Sequence, residues 1–172
     1  MRHRNRVNET KLFEIGWLGG ILDGEGCVSI RPNGNSWAYE VNVTSTSETI
    51  AEHCSKILRY WGIKHLVKKT GQRHLNPNWN DKFNVRVIQR ESILLLLELV
   101  YPCLTEKKMR ATLLRALISS TIKRPHGFHY YTPNELKLIR KFRALQRKPY
   151  KRATLNQAEA GKGTSEGQTT RE

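Results

Sequence analysis

The chain has few cysteines, and no two of them lie close together. Cys27, Cys54 and Cys103 are odd in number, and no C-x-x-C pair occurs among the 172 residues. A disulfide framework and a structural zinc site both need paired cysteines, so neither is indicated. We expect three reduced thiols, most of them buried.

Long apolar runs are also missing. The longest, residues 93–101 (ILLLLELVY), is interrupted by Glu98, whereas a membrane-spanning helix needs about 18 apolar residues. The basic N-terminal stretch MRHRNRVNETK has no apolar segment of signal-peptide type behind it. We therefore expect an intracellular protein with no membrane partner. Organellar, archaeal, bacterial and phage origins all stay open.

Acidic residues are scarce relative to basic ones. Lys and Arg number 30 against 15 Asp and Glu, which gives a formal net charge of +15. This excess creates a positive field that attracts polyanions, with nucleic acid as the first candidate and an anionic membrane surface as the second.

Hydrophobic periodicity predicts alternating helices and hairpins. The predicted elements are a helix over 9–24, strands over 27–31 and 39–46, a helix over 47–61, strands over 63–70 and 82–89, and helices over 91–100, 106–120 and 133–148. The length suits one domain, which we place at residues 1–148. Residues 149–172 contain almost nothing apolar, so we predict a flexible polar tail.

The end of the first predicted helix has an unusual composition. Gly16, Gly20 and Gly24 lie four residues apart and form one stripe of the helix. Each glycine costs about 1 kcal/mol of helix propensity relative to Ala, and close approach of another helix would compensate for that cost.

Two acids follow the glycine stripe. Asp23 and Glu25 lie at the C-terminal end of the helix, where free carbonyl groups disfavour a negative charge by about 0.3–1 kcal/mol. A divalent cation would reverse that penalty, because carboxylate and carbonyl oxygens are the ligands that Mg²⁺ prefers. The pattern therefore indicates a metal site, and a plain C-cap turn with solvated acids is the alternative.

Residues 18–26, LGGILDGEG, resemble the LAGLIDADG motif of homing endonucleases. Four positions match the motif outright: Leu18, Gly20, Asp23 and Gly26. The order of elements over residues 9–120 is similar to that of the family's core. The resemblance implies an α+β fold, an αββαββα core with a four-stranded antiparallel DNA-binding sheet, followed by C-terminal helices.

The motif occurs once, so the resemblance implies a homodimer in which two motif helices pack about a twofold axis. The implied interface residues are Gly16, Leu18, Gly20 and Asp23. In the family, the second acid of each motif binds the catalytic metal across the DNA minor groove. This implies that Glu25 is a catalytic and metal-binding residue, with the Gly24 carbonyl as a further ligand. The implied cofactor is Mg²⁺, with Mn²⁺ or Ca²⁺ as substitutes for binding.

Two further catalytic positions are carried over from the family. A lysine near the scissile phosphate matches Lys107, where a cation could polarise the phosphate. A polar residue that orders water at the end of the second strand matches Ser45, where relatives often carry Gln. This departure leaves the water network open, and Thr44 or Ser47 are alternative participants.

Strand alternation places polar side chains on one face of the predicted sheet. In the major groove, Arg pairs with guanine and Asn with adenine, so this face suits base reading. The predicted DNA-binding residues are Ser29, Arg31, Asn33, Glu40, Asn42, Thr44, Lys69, Lys82, Asn84 and Arg86. For Lys69, the segment HLVKK leaves the strand register open by one residue. A hydrated sheet face with no ligand is the alternative. The basic last helix is expected to dock on the body and touch flanking phosphates.

Three functions are compatible with these observations. The first is a site-specific homing endonuclease of a mobile genetic element, which cuts both strands of a long pseudo-palindromic DNA site and leaves short 3′ overhangs. The second is a non-cleaving binder on the same fold, either an intron maturase with intron RNA as partner or a transcriptional regulator. The third, a basic RNA-binding structural protein, leaves the glycine stripe and acids unexplained. Glu25 favours the first function. DNA and the helix end both repel an acid at this position, so a protein that only binds nucleic acid has no need of one there.

Overall fold

A four-stranded antiparallel sheet forms the centre of the molecule. The computed structural model describes residues 2–71, 80–123 and 130–146. The elements are α1 (Arg2–Gly24), β1 (Gly26–Asn33), β2 (Ser36–Ser45), α2 (Glu48–Tyr60), β3 (Leu66–Thr70), β4 (Lys82–Val87), α3 (Arg90–Val100), a 3₁₀ turn (Tyr101–Cys103), α4 (Lys108–Thr121) and α5 (Pro133–Gln146). The strand order is β1-β2-β4-β3, and each neighbouring pair is antiparallel. The predicted α+β class and the four-stranded sheet are confirmed.

Some predicted boundaries differ from the structure. The first helix begins at Arg2 rather than at residue 9. The third strand begins at Leu66 rather than at residue 63, because Ile63 is buried and its amide bonds to the Leu58 carbonyl, 2.9 Å away. The Lys64 amide donates to Ser92 Oγ at 3.2 Å, which also keeps this segment off the sheet. The predicted tail, and residues 147 and 148 of the last predicted helix, lie outside the described residues.

The core lies between one sheet face and the helices packed on it. Helix α4 packs on β1 and contributes Leu114, Leu117 and Ile118, while helices α1, α2 and α3 also pack on the sheet. The sheet contributes Val28, Ile30, Tyr39, Val41, Val43, Phe83, Val85 and Val87. Leu22, Ile57 and Leu97 bring one fully buried side chain from each of α1, α2 and α3. The alternation of apolar and polar residues along β2 and β4 therefore determines which sheet face is buried.

Only one of the three thiols is buried. Cys54 is buried, Cys103 is half-buried and Cys27 is exposed, and all three are free. The expectation of mostly buried cysteines is wrong, because Cys27 lies on the side of β1 that faces away from the core. Burial raises the pKa of Cys54 to about 11, so this thiol stays protonated at neutral pH.

Helix α5 docks on α4 and on the edge strand β1, as predicted. A capping box begins it, since the Thr132 amide donates to Glu135 Oε2 at 2.7 Å and the Glu135 amide donates to Thr132 Oγ1 at 3.3 Å. Arg110 Nη2 donates to the Leu145 carbonyl at 2.7 Å near its other end. None of the helices in the described ranges is long and apolar enough to cross a membrane.

Candidate active site and nucleic-acid interface

Glu25 is the single residue between α1 and β1. Its amide continues the helix by donating to the Ile21 carbonyl at 2.8 Å. Its side chain is exposed and makes no hydrogen bond or ion pair with another described residue. An unpaired carboxylate therefore stands at the C-terminal end of a helix, as the sequence predicted.

The other acid of the motif is engaged within the chain. The carboxylate of Asp23 accepts the backbone amides of Thr105 at 3.0 Å, Glu106 at 3.0 Å and Lys107 at 2.8 Å, and also the hydroxyl of Thr105. Desolvation raises the pKa of Asp23, but these hydrogen bonds outweigh it and lower the pKa to about 2. Asp23 ties the turn before α4 to the end of α1, and its carboxylate is used inside the protomer.

Lys107 lies at the same place. Its Nζ donates to the backbone carbonyl of Asp23 and, at 3.3 Å, to that of Gly24. An ammonium group therefore binds the carbonyls that carry the negative end of the helix dipole. The structure thus brings Lys107 to the carbonyl of Gly24, the residue before Glu25. The catalytic part of Lys107 stays a prediction.

The oxygen atoms at this helix end suit a hard divalent cation. Glu25 offers an unpaired carboxylate, and the neighbouring carbonyls already hold a positive charge. Within residues 2–71, 80–123 and 130–146, no group of three His, Cys, Asp or Glu side chains is placed to hold a metal. The residues present fit Mg²⁺ only as part of a ligand set, which other groups would have to complete.

Ser45 ends β2 near the same end of the sheet. The pairing of Gly26 with Val43 places Ser45 just beyond the first residue of β1. Its Oγ accepts the Ser47 amide at 3.0 Å, so it caps the turn into α2. A part for Ser45 in ordering water stays a prediction.

One face of α1 is open. A Cβ added at Gly16, Gly20 or Gly24 would meet nothing within 4 Å. Leu12 and Phe13, on the same side of the helix by the 3.6-residue period, are 68% and 72% exposed. The glycine stripe is thus an accessible surface flanked by two large apolar side chains.

Two residues next to the glycine stripe in sequence, Leu18 and Gly19, pack within the chain itself. A Cβ added at Gly19 would lie 2.5 Å from Cys103 Cβ in the 3₁₀ turn. Leu18 is 2% exposed and belongs to the core. Its prediction as a dimer-interface residue is therefore corrected, because no surface of Leu18 remains for a partner. It lies about half a helix turn away from Gly20.

The strand register puts polar side chains together on the sheet face that points away from the core, which we call the polar face. Its members among the predicted DNA-binding residues are Ser29, Arg31, Asn33, Glu40, Asn42, Thr44, Lys82, Asn84 and Arg86. Asn84 Oδ1 is buried and has no hydrogen-bond partner among the residues described.

The predicted placement of Lys69 is wrong. Lys69 pairs with Phe83, whose side chain faces the core, whereas Lys68 pairs with Asn84. Lys69 Nζ lies 5.2 Å from the centre of the Phe83 ring and 3.5 Å from Asp81 Oδ2. A shift of one residue moves a strand side chain to the other face, so Lys68 is the lysine of β3 on the polar face.

Glu40 is buried although it belongs to the polar face. It is 6% exposed and accepts hydrogen bonds from Arg86 Nε at 2.7 Å and from Arg86 Nη2 at 2.9 Å. Arg31 Nη2 lies 3.2 Å from Glu40 Oε2, and Asn42 Nδ2 donates to Glu40 Oε1 at 2.9 Å. The hydrogen bonds from Arg86 hold the pKa of Glu40 below its ordinary value. From the sequence, Glu40 was expected to contact DNA bases, and its bonds to Arg86, Arg31 and Asn42 were not predicted.

Thr105 is a residue at this site that the sequence did not predict. It bonds Asp23 from a position 82 residues further along the chain, so no local pattern connects the two. The signal at Glu40 was weak but present, because it is a lone acid in a predicted row of basic and amide side chains.

Several solved structures of homing endonucleases are similar in fold to this chain. The homing endonuclease I-CvuI, bound to the I-CreI target in the presence of Mg with the DNA not cleaved, has a TM-score of 0.60 and 21% identity over 79% of this chain and 83% of its own. The archaeal intron-encoded endonuclease I-Vdi141I, complexed with DNA, has a TM-score of 0.50 and 16% identity over 77% and 98%. I-GzeII, a LAGLIDADG homing endonuclease in complex with its DNA target, has a TM-score of 0.51 and 14% identity over 77% and 43%. These likenesses show the homing-endonuclease fold.

The family follows from the sequence match. The model of the LAGLIDADG-like domain matches residues 12–101, which is more than half of the chain and includes the motif at residues 18–26. The chain belongs to the LAGLIDADG family. No curated protein matches it by sequence.

Proposed function

We propose that this protein is a homing endonuclease that cuts both strands of a long pseudo-palindromic DNA site. The observation that carries the proposal is Glu25, an exposed carboxylate at a helix end in a chain of net charge +15, which makes no hydrogen bond or ion pair within the described part of the chain. The helix dipole and DNA both disfavour an acid at that position, so its presence is explained best by a cation that it binds.

The active form in this proposal is a homodimer. The chain has one motif, and each Glu25 supplies one metal-binding carboxylate. The open stripe of Gly16, Gly20 and Gly24 allows the backbones of two α1 helices to approach closely, and Leu12 and Phe13 would lose exposed apolar surface in that contact. The twofold axis would place the two Glu25 residues side by side, one for each DNA strand.

The proposed cofactor is Mg²⁺, which when bound activates water and stabilises charge on the phosphate. Glu25 and the Gly24 carbonyl would hold it, and DNA phosphates and the partner copy would complete the ligand set. Lys107 contacts the same carbonyl and is placed to neutralise charge that develops on the phosphate. I-CvuI complexes solved with Mg and with Ca support the use of a divalent cation.

DNA would lie on the polar face. Arg, Asn and Ser side chains there can donate to and accept from base edges in the major groove. The exposed basic residues of α5 would bind flanking phosphates; they are Lys137, Arg140, Lys141 and Arg143. The cut would run across the minor groove and leave short 3′ overhangs.

The test compares the wild type, Glu25→Gln and the matched control Glu98→Gln on a randomised plasmid library, with Mg²⁺ and with chelator. Glu98 is exposed on α3 and makes no hydrogen bond or ion pair with the described residues, and its substitution changes the net charge by the same amount. The wild type and Glu98→Gln should give staggered Mg²⁺-dependent cuts at one family of sites. Glu25→Gln should bind the same sites and cut them roughly a hundredfold or more slowly.

Binding without cutting would contradict the endonuclease proposal. If all three proteins bind specific DNA and none cuts it, the protein is a non-cleaving regulator on this fold. If intron RNA competes better than DNA, it is a maturase.

A further inference from the structure

We propose that Glu40 does not contact DNA but positions Arg86 to read one guanine in each half-site. This inference rests on the proposed function, because it assumes that the polar face binds DNA. It concerns how the chain discriminates between sequences rather than how it cuts.

The carboxylate of Glu40 has no free acceptor position. Oε1 accepts Arg86 Nε at 2.7 Å and Asn42 Nδ2 at 2.9 Å. Oε2 accepts Arg86 Nη2 at 2.9 Å and lies 3.2 Å from Arg31 Nη2. A carboxylate offers about four lone-pair sites, and all of them are used here. Glu40 therefore cannot accept the amino group of a cytosine, the pairing expected of an acid in the major groove.

Arg86 keeps the edge that reads guanine. Its guanidinium has five N–H groups, and Glu40 takes the one on Nε and one of the two on Nη2. The end formed by Nη1 and Nη2 stays available, and its two parallel donors match guanine O6 and N7. The side chain of Arg86 is 27% exposed, so it is held on the sheet but not enclosed.

Fixing the arginine before binding favours discrimination. A long side chain loses rotamer freedom when it binds, and a side chain already held by two hydrogen bonds loses less. Arg31 differs, because it has a single contact to Glu40 and its side chain is 60% exposed. We therefore assign the guanine to Arg86 rather than to Arg31.

The register also locates the guanine. Arg86 pairs with Asn42, and Asn42 pairs with Cys27, which is two residues after Glu25. The base pair read by Arg86 therefore lies in the part of each half-site nearer to the cleavage point than the bases below the β1–β2 turn.

Glu40 should lower overall affinity while it raises specificity. A carboxylate on a DNA-facing surface repels phosphates, so its removal should strengthen binding to random DNA. Its removal also releases Arg86 from one orientation, so the preference for guanine should weaken. A residue with a purely structural part would change affinity for all sequences alike.

The test is selection from a randomised DNA library in Ca²⁺, followed by competition binding of matched duplexes that differ at one base pair. The proteins are the wild type, Glu40→Gln, Arg86→Met, the double variant and the control Glu98→Gln. The wild type and Glu98→Gln should select one guanine per half-site, with a preference of about tenfold or more over other bases. Glu40→Gln should lose most of that preference and bind random DNA more tightly. In the Arg86→Met background, Glu40→Gln should change the preference no further.

Three results would overturn the inference. The first is that the wild type selects a defined site and Glu40→Gln keeps the same guanine preference. This result would leave the DNA-binding proposal intact. The second is a wild type that selects no sequence at all, which removes the proposed function as well. The third is equal weakening on every duplex. If Glu40→Gln fails to fold, Glu40→Asp takes its place in the test. Its shorter side chain keeps the charge but cannot reach both donors of Arg86, so it should also lose the guanine preference.

Discussion

The contact between Asp23 and the turn before α4 yields a direct stability prediction. In Asp23→Ala, the amides of Thr105, Glu106 and Lys107 lose their acceptor. Loss of a helix-capping side chain costs about 0.5–2 kcal/mol, and hydrogen bonds to a charged group are worth about 1.5–3 kcal/mol each when buried. Because the turn is partly exposed and water can replace some of these bonds, we expect a loss of about 2–3 kcal/mol. Asp23→Asn keeps one acceptor oxygen and should lose about 1–2 kcal/mol.

The measurement is urea unfolding and a thermal scan of the metal-free protein in chelator at neutral pH. For a chain of this length, about 1 kcal/mol corresponds to about 2–4 °C in Tm, so Asp23→Ala should melt about 4–12 °C below the wild type. The matched control is Glu106→Gln, which removes a negative charge in the same turn. The exposed side chain of Glu106 makes no hydrogen bond or ion pair with the described residues.

Equal stabilities of Asp23→Ala and Glu106→Gln would refute this reasoning, because they would show that the hydrogen bonds to the Asp23 carboxylate contribute nothing beyond its charge.

A second consequence concerns Lys107, whose amide and Nζ both bond to Asp23. At a temperature where Asp23→Asn is folded, its cleavage rate should fall relative to that of Glu106→Gln.

Three further predictions concern single residues. Gly19→Ala should destabilise the protein relative to Gly20→Ala by about 1–3 kcal/mol in chemical unfolding, since its Cβ would lie 2.5 Å from Cys103 Cβ while Gly20 faces open space; equal stabilities would contradict the packing of α1 on the 3₁₀ turn. Gly20→Leu should weaken the proposed homodimer about tenfold or more in sedimentation experiments, while the monomer stays folded; a dimer of unchanged affinity would contradict the proposal that α1 forms the interface. Glu40 has a folded-state pKa below that of the unfolded chain. Its contribution to stability is measured as the difference in unfolding free energy between the wild type and Glu40→Gln. This difference should be full above the unfolded-state pKa near 4.5 and should decline as the pH falls through the lower folded-state pKa. A difference that grows on acidification would contradict the ion pair with Arg86.

Patterns that repeat along the chain were readable without a structure. The alternation in β2 and β4 predicted which residues share the polar face, because neighbouring side chains of a strand point to opposite sides. The stripe of Gly16, Gly20 and Gly24 was readable from the helical period, and its open surface is now seen. The position of Glu25 at the end of α1 followed from the motif.

Tertiary structure decided the features that join distant segments. The pairing of β3 with β4 put Lys68 rather than Lys69 on the polar face, and packing against the sheet put Leu18 in the core rather than in an interface. The hydrogen bond between Thr105 and Asp23 joins residues 82 positions apart, and that between Arg86 and Glu40 joins residues 46 positions apart. Periodicity determines the face on which a residue lies, because it depends only on the local backbone. Register and partner choice depend on which surfaces pack together across the whole fold, and local sequence does not encode them.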